Sequence, residues 1–278
     1  VAPILESDRM NSCCSTELGE WKLVSRRRRK TRAIIPSSTD LPSETEAWSP
    51  SDTDTSHQNL SKLTLKMQSS LRKLKSSQFF SSLLHQIHSS PLRDRFRETL
   101  TSQPEMPMVI YGIGSIERRD QSRMQLSLAI LLKSELPWIG DIEVFDPVLT
   151  AAECKVIGDL KCRVLTMNEY GRRKASKATM FFMPHCEAVL YNNLLEANWK
   201  KELLKRIVIL GNSFKAYEDA SSFKNSIIPL KGKHILAARN FVFESRIDAS
   251  SDEYFSAFHD SSWHFFSPSF DHEIPWVC

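Results

Sequence analysis

Short apolar runs alternate with helix-patterned stretches between residues 108 and 210, and this alternation limits the fold more than anything else in the chain. The apolar runs fall at 108–111, 141–145, 162–165, 179–183 and 206–210. Each has strand length, and all but 162–165 end at Gly, Asp-Pro or Pro, residues that favour turns. Helical patterns fill the gaps at 121–136, 150–157 and 187–198. In the first of these, Met124, Leu128, Leu131 and Leu132 share one stripe. Strands that alternate with helices join through right-handed crossovers and make a mostly parallel sheet. The expected fold is therefore α/β: a Rossmann-like, mostly parallel sheet flanked by helices, with a disordered N-terminal tail.

The tail is expected to span residues 1–57. Its larger apolar groups are Trp21, Leu23, Val24, Ile34, Ile35 and Trp48, too few to offset the entropy of ordering the segment. A basic block of Arg26, Arg27, Arg28, Arg29 and Lys30 precedes the acidic Asp40, Glu44, Glu46, Asp52 and Asp54. Such a block reads as a nuclear-import signal or as a solvated run. The chain begins at Val1, which makes Met10 a candidate start. An amphipathic helical segment is expected over 58–103, where Leu60, Leu63, Met67, Leu71 and Leu74 recur at helical steps between lysines and arginines. That helix and the tail are candidate docking elements for protein partners. The main domain then covers 104–278.

Composition narrows the class. Hydrophobic residues make up 41% of the 278 and charged residues 25%, as in soluble globular chains. No apolar run approaches the roughly 20 residues that cross a bilayer. A net charge of +4 does not make the whole molecule a nucleic-acid binder, which leaves only the basic tail to argue for direct contact. The six cysteines contain no CxxC pair, so neither a zinc site nor a disulfide framework is indicated, and a reducing compartment fits.

Any chemistry is expected beyond the carboxyl ends of the strands, where open parallel sheets bind ligands. Gly112, Gly114 and Ser115 follow the first strand, and glycines there let backbone N–H groups approach a phosphate. Asp146 closes the second strand and suits ribose hydroxyls. The dinucleotide fingerprint is incomplete, because residue 117 is Glu and Asp146 stands well past the usual spacing of about 20 residues. A tight turn that binds nothing is the other reading. His185 beside Cys186 ends the fourth strand and offers an acid, base or nucleophile pair. Asn212 closes the fifth. Gly112, Gly114, Ser115, Asp146, His185 and Asn212 thus make one candidate cleft, with catalytic residues unassigned. S-adenosylmethionine and a nicotinamide cofactor are the groups such a cleft would take. Tyr191, Asn192 and Asn193 either line it or cap helices. His259, Asp260 and His264 match no standard metal spacing, and a buried strand is the simpler reading of residues 259–266.

Several ordered motifs resemble one family. They are Tyr111-Gly112-Ile113-Gly114-Ser115 with Ser122, Gln125 and Leu126; then 179–186, reading TMFFMPHC; then Leu190-Tyr191-Asn192-Asn193-Leu194-Leu195 with Ala197-Asn198-Trp199; then 209–214, reading ILGNSF; and finally 260–266, reading DSSWHFF. Together they resemble the sensitivity-to-red-light-reduced proteins over roughly residues 105–267, and the tail with Gly19-Glu20-Trp21 is similar to the plant members. His259 departs from the pattern, which has Asn in many relatives. The resemblance implies a regulator of circadian-clock input and phytochrome B red-light signalling in plants, in nucleus and cytoplasm. Animal members are associated with clock-gene expression and haem metabolism. It brings no catalytic reaction with it.

Overall fold

A computed structural model describes residues 45–101, 103–249 and 252–267. The basic block at 26–30 and the rest of the expected tail up to residue 44 lie outside them. The chain enters through β1 (Glu46–Ala47) and three helices, α1 (His57–Lys75), α2 (Gln78–His88) and α3 (Leu92–Leu100). The alternating part follows: β2 (Met106–Tyr111), α4 (Asp120–Glu135), β3 (Ile139–Phe145), α5 (Ala151–Asp159), β4 (Cys162–Val164) and a short β5 (Met167–Asn168). Next come β6 (Thr179–Met183), α6 (Ala188–Ala197), α7 (Lys201–Leu204), β7 (Ile207–Asn212) and α8 (Phe214–Ser221). The chain closes with α9 (Ile228–Lys231), α10 (Lys233–Ala238), β8 (Val242–Arg246), α11 (Asp252–Phe258) and β9 (Ser261–Phe266).

A seven-stranded sheet runs β4-β3-β2-β6-β7-β9-β8. The first five strands of that order are parallel, and β9 lies antiparallel between β7 and β8. This is the doubly wound α/β architecture with a reversed strand near one edge. Strand order switches between β2 and β6, the point at which such sheets open a crevice. The expected C-terminal strand is β9, buried along its whole length.

Alternation along each strand divides the core between the two faces. Met108 and Ile110 of β2 join Leu63, Phe79, Phe96, Leu128 and Trp263 on one side. Val109 and Tyr111 join Phe181, Tyr191, Phe214 and Ile235 on the other. Both faces are covered, so the central strands read as continuous apolar runs rather than as alternating ones.

The helical segment expected at 58–103 is part of this sandwich. Leu63, Met67 and Leu74 of α1 are buried in the first core, so the apolar stripe read as a docking element is covered by the protein's own domain. Phe96 of α3 packs edge-on to Trp263 with ring centroids 5.3 Å apart. The end of the expected tail is also used. Glu46 and Ala47 pair antiparallel with Asn168 and Met167. Trp48 meets the Phe145 ring edge-on at 5.3 Å and donates its indole N–H to the Pro147 carbonyl at 3.3 Å. Asp52 accepts from the Ala151 N–H at 2.8 Å, at the start of α5.

Candidate functional site

The carboxyl ends of β2, β3, β6 and β7 bring Gly112, Gly114, Ser115, Asp146, His185 and Asn212 to one rim. Gly112 and Gly114 both adopt left-handed backbone, with φ of 69° and 72°. The turn does not open a helix, however. Eight residues, 112–119, separate β2 from α4, and Ile113 and Ile116 of that loop are buried. The glycines serve packing. A β-carbon on Gly114 would lie 3.0 Å from the Ser122 hydroxyl, and Ser122 is itself buried.

Asp146 ties two loops together. One carboxylate oxygen accepts from the Gly114 N–H at 2.7 Å and the other from the Val148 N–H at 3.0 Å. The residue is 7% exposed. The Gly112 N–H donates to the Phe145 carbonyl at 3.3 Å. The N–H of Gly114 and the carboxylate that would receive a nucleoside are thus engaged with each other. Ser115 is engaged as well: its hydroxyl donates to Glu153 at 2.6 Å and accepts from the Arg118 N–H at 3.2 Å.

Glu153 was not singled out from the sequence, yet it anchors this loop. Its fully buried carboxylate also accepts from the N–H of Glu117 and of Thr150, both at 2.8 Å, while the Thr150 hydroxyl accepts from the Glu153 N–H. The legible signal is the T-x-x-E capping box at 150–153.

At the end of β6 the chain turns through Pro184, His185 and Cys186, with His185 at φ 59°. Asn212 holds this turn. Its side-chain oxygen accepts from the His185 N–H at 2.6 Å, and its NH₂ group donates to the Cys186 carbonyl at 3.1 Å and to the Tyr217 hydroxyl at 2.8 Å. Tyr191 completes the clamp: it donates to the Met183 carbonyl and accepts from the Asn212 N–H at 2.8 Å. Gly211 is required beneath it, since a β-carbon there would lie 2.4 Å from the Tyr191 oxygen. Asn192 accepts from the His234 N–H at 2.9 Å and Asn193 donates to the Tyr170 carbonyl at 2.8 Å, so both amides brace loops.

His185 and Cys186 do not form a dyad. The imidazole turns toward His259, ring centroids 4.5 Å apart, while the thiol donates to the Tyr111 carbonyl at 3.2 Å. Burial pushes the Cys186 thiol well up, and the charges of Asp146 and Glu187 add to the shift, so the sulfur stays protonated. Desolvation by the crevice walls and the neighbouring His259 lower the His185 pKa. Tyr111 joins a polar chain on the same side of the sheet. Its hydroxyl donates to Glu169, which takes the Arg173 Nε at 2.8 Å, and Arg173 reaches Glu143 at 2.7 Å. Burial, then the Glu169 charge, raises the Tyr111 pKa.

His264 lies in the core against Phe214, at 4.2 Å between ring centroids, whereas Asp260 is exposed. Among the described residues no group of three His, Cys, Asp or Glu side chains has the geometry to hold a metal ion. No described helix is long and apolar enough to cross a membrane.

Fold and rim together define a Rossmann-like α/β protein whose switch-point loops are locked to one another. The sequence matches the SRR1 domain model over residues 73–265, and the chain belongs to that family. It is 46% identical over 264 residues to the Arabidopsis thaliana Protein SENSITIVITY TO RED LIGHT REDUCED 1, covering 94% of this chain and 96% of that protein. A mouse SRR1-like protein is 35% identical over 153 residues, 53% of this chain and 61% of that one. Among solved structures, the plantazolicin methyltransferase BpumL in complex with SAH aligns with 76% of this chain and 98% of its own, at 12% identity and a TM-score of 0.29. MtNAS in complex with MTA and tNA aligns over 74% of this chain and 72% of its own, at 13% identity and a TM-score of 0.35.

Proposed function

We propose that this chain regulates input to a plant circadian clock and phytochrome B red-light signalling, in nucleus and cytoplasm, by binding protein partners. The observation that carries the reading is its 46% identity to the Arabidopsis protein, spread over 94% of this chain and 96% of that one. Identity of that extent carries over the whole architecture rather than one shared motif. The rim supports the same reading from the chemical side. The Gly114 N–H, Asp146, Ser115, Cys186 and Asn212 are all engaged within the protein, an arrangement suited to holding a surface in one shape. A Rossmann-like enzyme that binds S-adenosylmethionine or a nicotinamide cofactor is the rival reading, and the same engagement weighs against it.

Expression in an Arabidopsis line that lacks the relative tests the proposal. Restored hypocotyl shortening under red light and a restored clock period are expected. Full accumulation of the protein with neither response restored would overturn it. A fluorescent fusion in the same plants reads the compartments, and replacing Arg26, Arg27, Arg28 and Arg29 by Ala tests whether the basic block directs import.

A further inference from the structure

Residues 45–54 lie against the carboxyl end of β3 as a strap, pinned at two points. At the first pin β1 pairs with β5, the Trp48 N–H donates to the Thr166 carbonyl at 2.7 Å, and the Tyr170 hydroxyl donates to Glu46 at 2.6 Å. The Trp48 ring adds its contacts with Phe145 and Pro147. At the second pin Asp52 accepts from the Ala151 N–H, the first of α5. Ser49, Pro50 and Ser51 bridge the two. Neither serine hydroxyl there makes a hydrogen bond among the described residues.

Three serines of the chain precede a proline: Ser49, Ser90 and Ser267. The Ser90 hydroxyl donates to Asp94 at 2.9 Å, and that of Ser267 accepts from Arg95 at 2.9 Å. Ser49 is exposed, and of the three it alone has a hydroxyl with no bond among the described residues. A proline holds the residue before it extended and brings no N–H of its own. Ser49 is therefore presented in the extended form that a kinase cleft takes, followed by the residue that a proline-directed kinase selects.

Charge decides what a phosphate there would do. No Lys or Arg lies between Arg32 and Lys62, whereas the strap carries Glu46, Asp52 and Asp54. The surface beneath adds Asp146, beside Pro147, and Glu153 in the first turn of α5. A phosphoserine brings nearly two more negative charges into this set. Glu46 and Asp52 each stand three residues from Ser49, at most about 11 Å along the chain and so within roughly one screening length. Arg172, the cation whose charge reaches the Tyr170 hydroxyl, already has a partner. Both pins rely on a carboxylate, and repulsion works against both.

We propose that Ser49 is a phosphorylation site for a proline-directed kinase, and that the added dianion releases the strap from the rim. In the transfer the Ser49 oxygen bonds to the γ-phosphorus of ATP as the bond from that phosphorus to the bridging oxygen breaks. ADP departs with the electron pair, and the hydroxyl proton passes to the kinase's carboxylate base. Release uncovers the Phe145 ring and the backbone edge at Met167 and Asn168. The inference goes beyond the regulatory reading and does not depend on it.

Incubation of the full chain with ATP and a mitogen-activated protein kinase, followed by peptide mass mapping, tests the site. Phosphate is expected on Ser49 and not on Ser90 or Ser267, and Ser49→Ala should remove it. Hydrogen exchange then reads the strap. In the phosphorylated chain the N–H groups of Trp48 and Ala151 should exchange at least about tenfold faster, with those of β2 and β6 unchanged. Unphosphorylated Trp48→Ala loosens the first pin without adding charge, and it should speed exchange at Ala151 as well. A folded chain left unmodified at Ser49, or a phosphorylated chain whose strap exchanges no faster, would overturn the proposal.

Discussion

The sulfur of Cys186 occupies the space where a side chain on Gly112 would begin: a β-carbon there would lie 2.5 Å from Sγ. This contact welds the loop after β2 to the turn after β6, across the switch point of the sheet. Gly112→Ala adds that clash to the strain of a φ of 69°. A loss of about 2–4 kcal/mol in urea unfolding is expected. In a Cys186→Ala background the clash disappears and only the backbone cost remains, so the two substitutions should couple favourably. Strict additivity would show that the contact does not set the loop.

Asn212 makes the second weld. Replacing it by Ala removes bonds to the His185 N–H, the Cys186 carbonyl and the Tyr217 hydroxyl, and leaves polar groups of a half-buried turn without their partner. The expected loss is about 2–3 kcal/mol. Local opening should also expose the thiol of Cys186, which is 6% exposed in the intact protein. Its rate of labelling by a disulfide reagent should rise in Asn212→Ala, with peptide mapping to separate Cys186 from the other five cysteines. Unchanged labelling would mean that the turn holds without the amide.

The two welds show how far the sequence could be read. The strands and helices between 108 and 210 were legible because a parallel sheet covered on both faces demands continuous apolar runs such as TMFFM at 179–183. The gathering of Gly112, Asp146, His185 and Asn212 at one rim followed from that topology. What these residues do there was not legible. Asp146 looks the same in sequence whether it accepts from a ribose or from the Gly114 N–H, and only the loop of 112–119 decides. The same holds for α1, whose Leu63, Met67 and Leu74 spell an amphipathic helix without saying which surface covers it. Trp48 stood in a stretch too polar to fold alone and orders against Phe145, a partner 97 residues away in the chain.

The locked rim predicts the outcome of a cofactor screen. A cofactor present at 100 times its Kd would add about 2.7 kcal/mol of stability. Neither S-adenosylmethionine nor NAD should raise the thermal midpoint, because the Gly114 N–H and Asp146 are already bonded to each other. A raised midpoint with either compound would reinstate a cofactor at the switch point.

His264 predicts a pH dependence that can be assigned to one residue. Its ring is fully buried on β9, with Nδ1 donating to the Ile209 carbonyl at 3.3 Å and Nε2 without a hydrogen bond, 3.8 Å from Glu244. Burial holds its pKa down at about 4, against an opposing pull from Glu244, whose carboxylate is itself bonded to Arg239 at 2.8 Å. The unfolded chain therefore takes up the proton first as the pH falls below the ordinary histidine value of about 6.5. Stability is fully present above that pH and declines toward pH 4, by a total on the order of 3 kcal/mol. His185 and His234 are shifted in the same direction by burial, so the wild-type slope alone does not isolate His264. The difference between wild type and His264→Phe does, since the variant keeps the ring against Phe214 but cannot titrate. Urea unfolding at pH 5 and pH 7 should show a smaller pH-induced loss in His264→Phe. Equal losses in the two proteins would mean that the buried imidazole does not control acid stability.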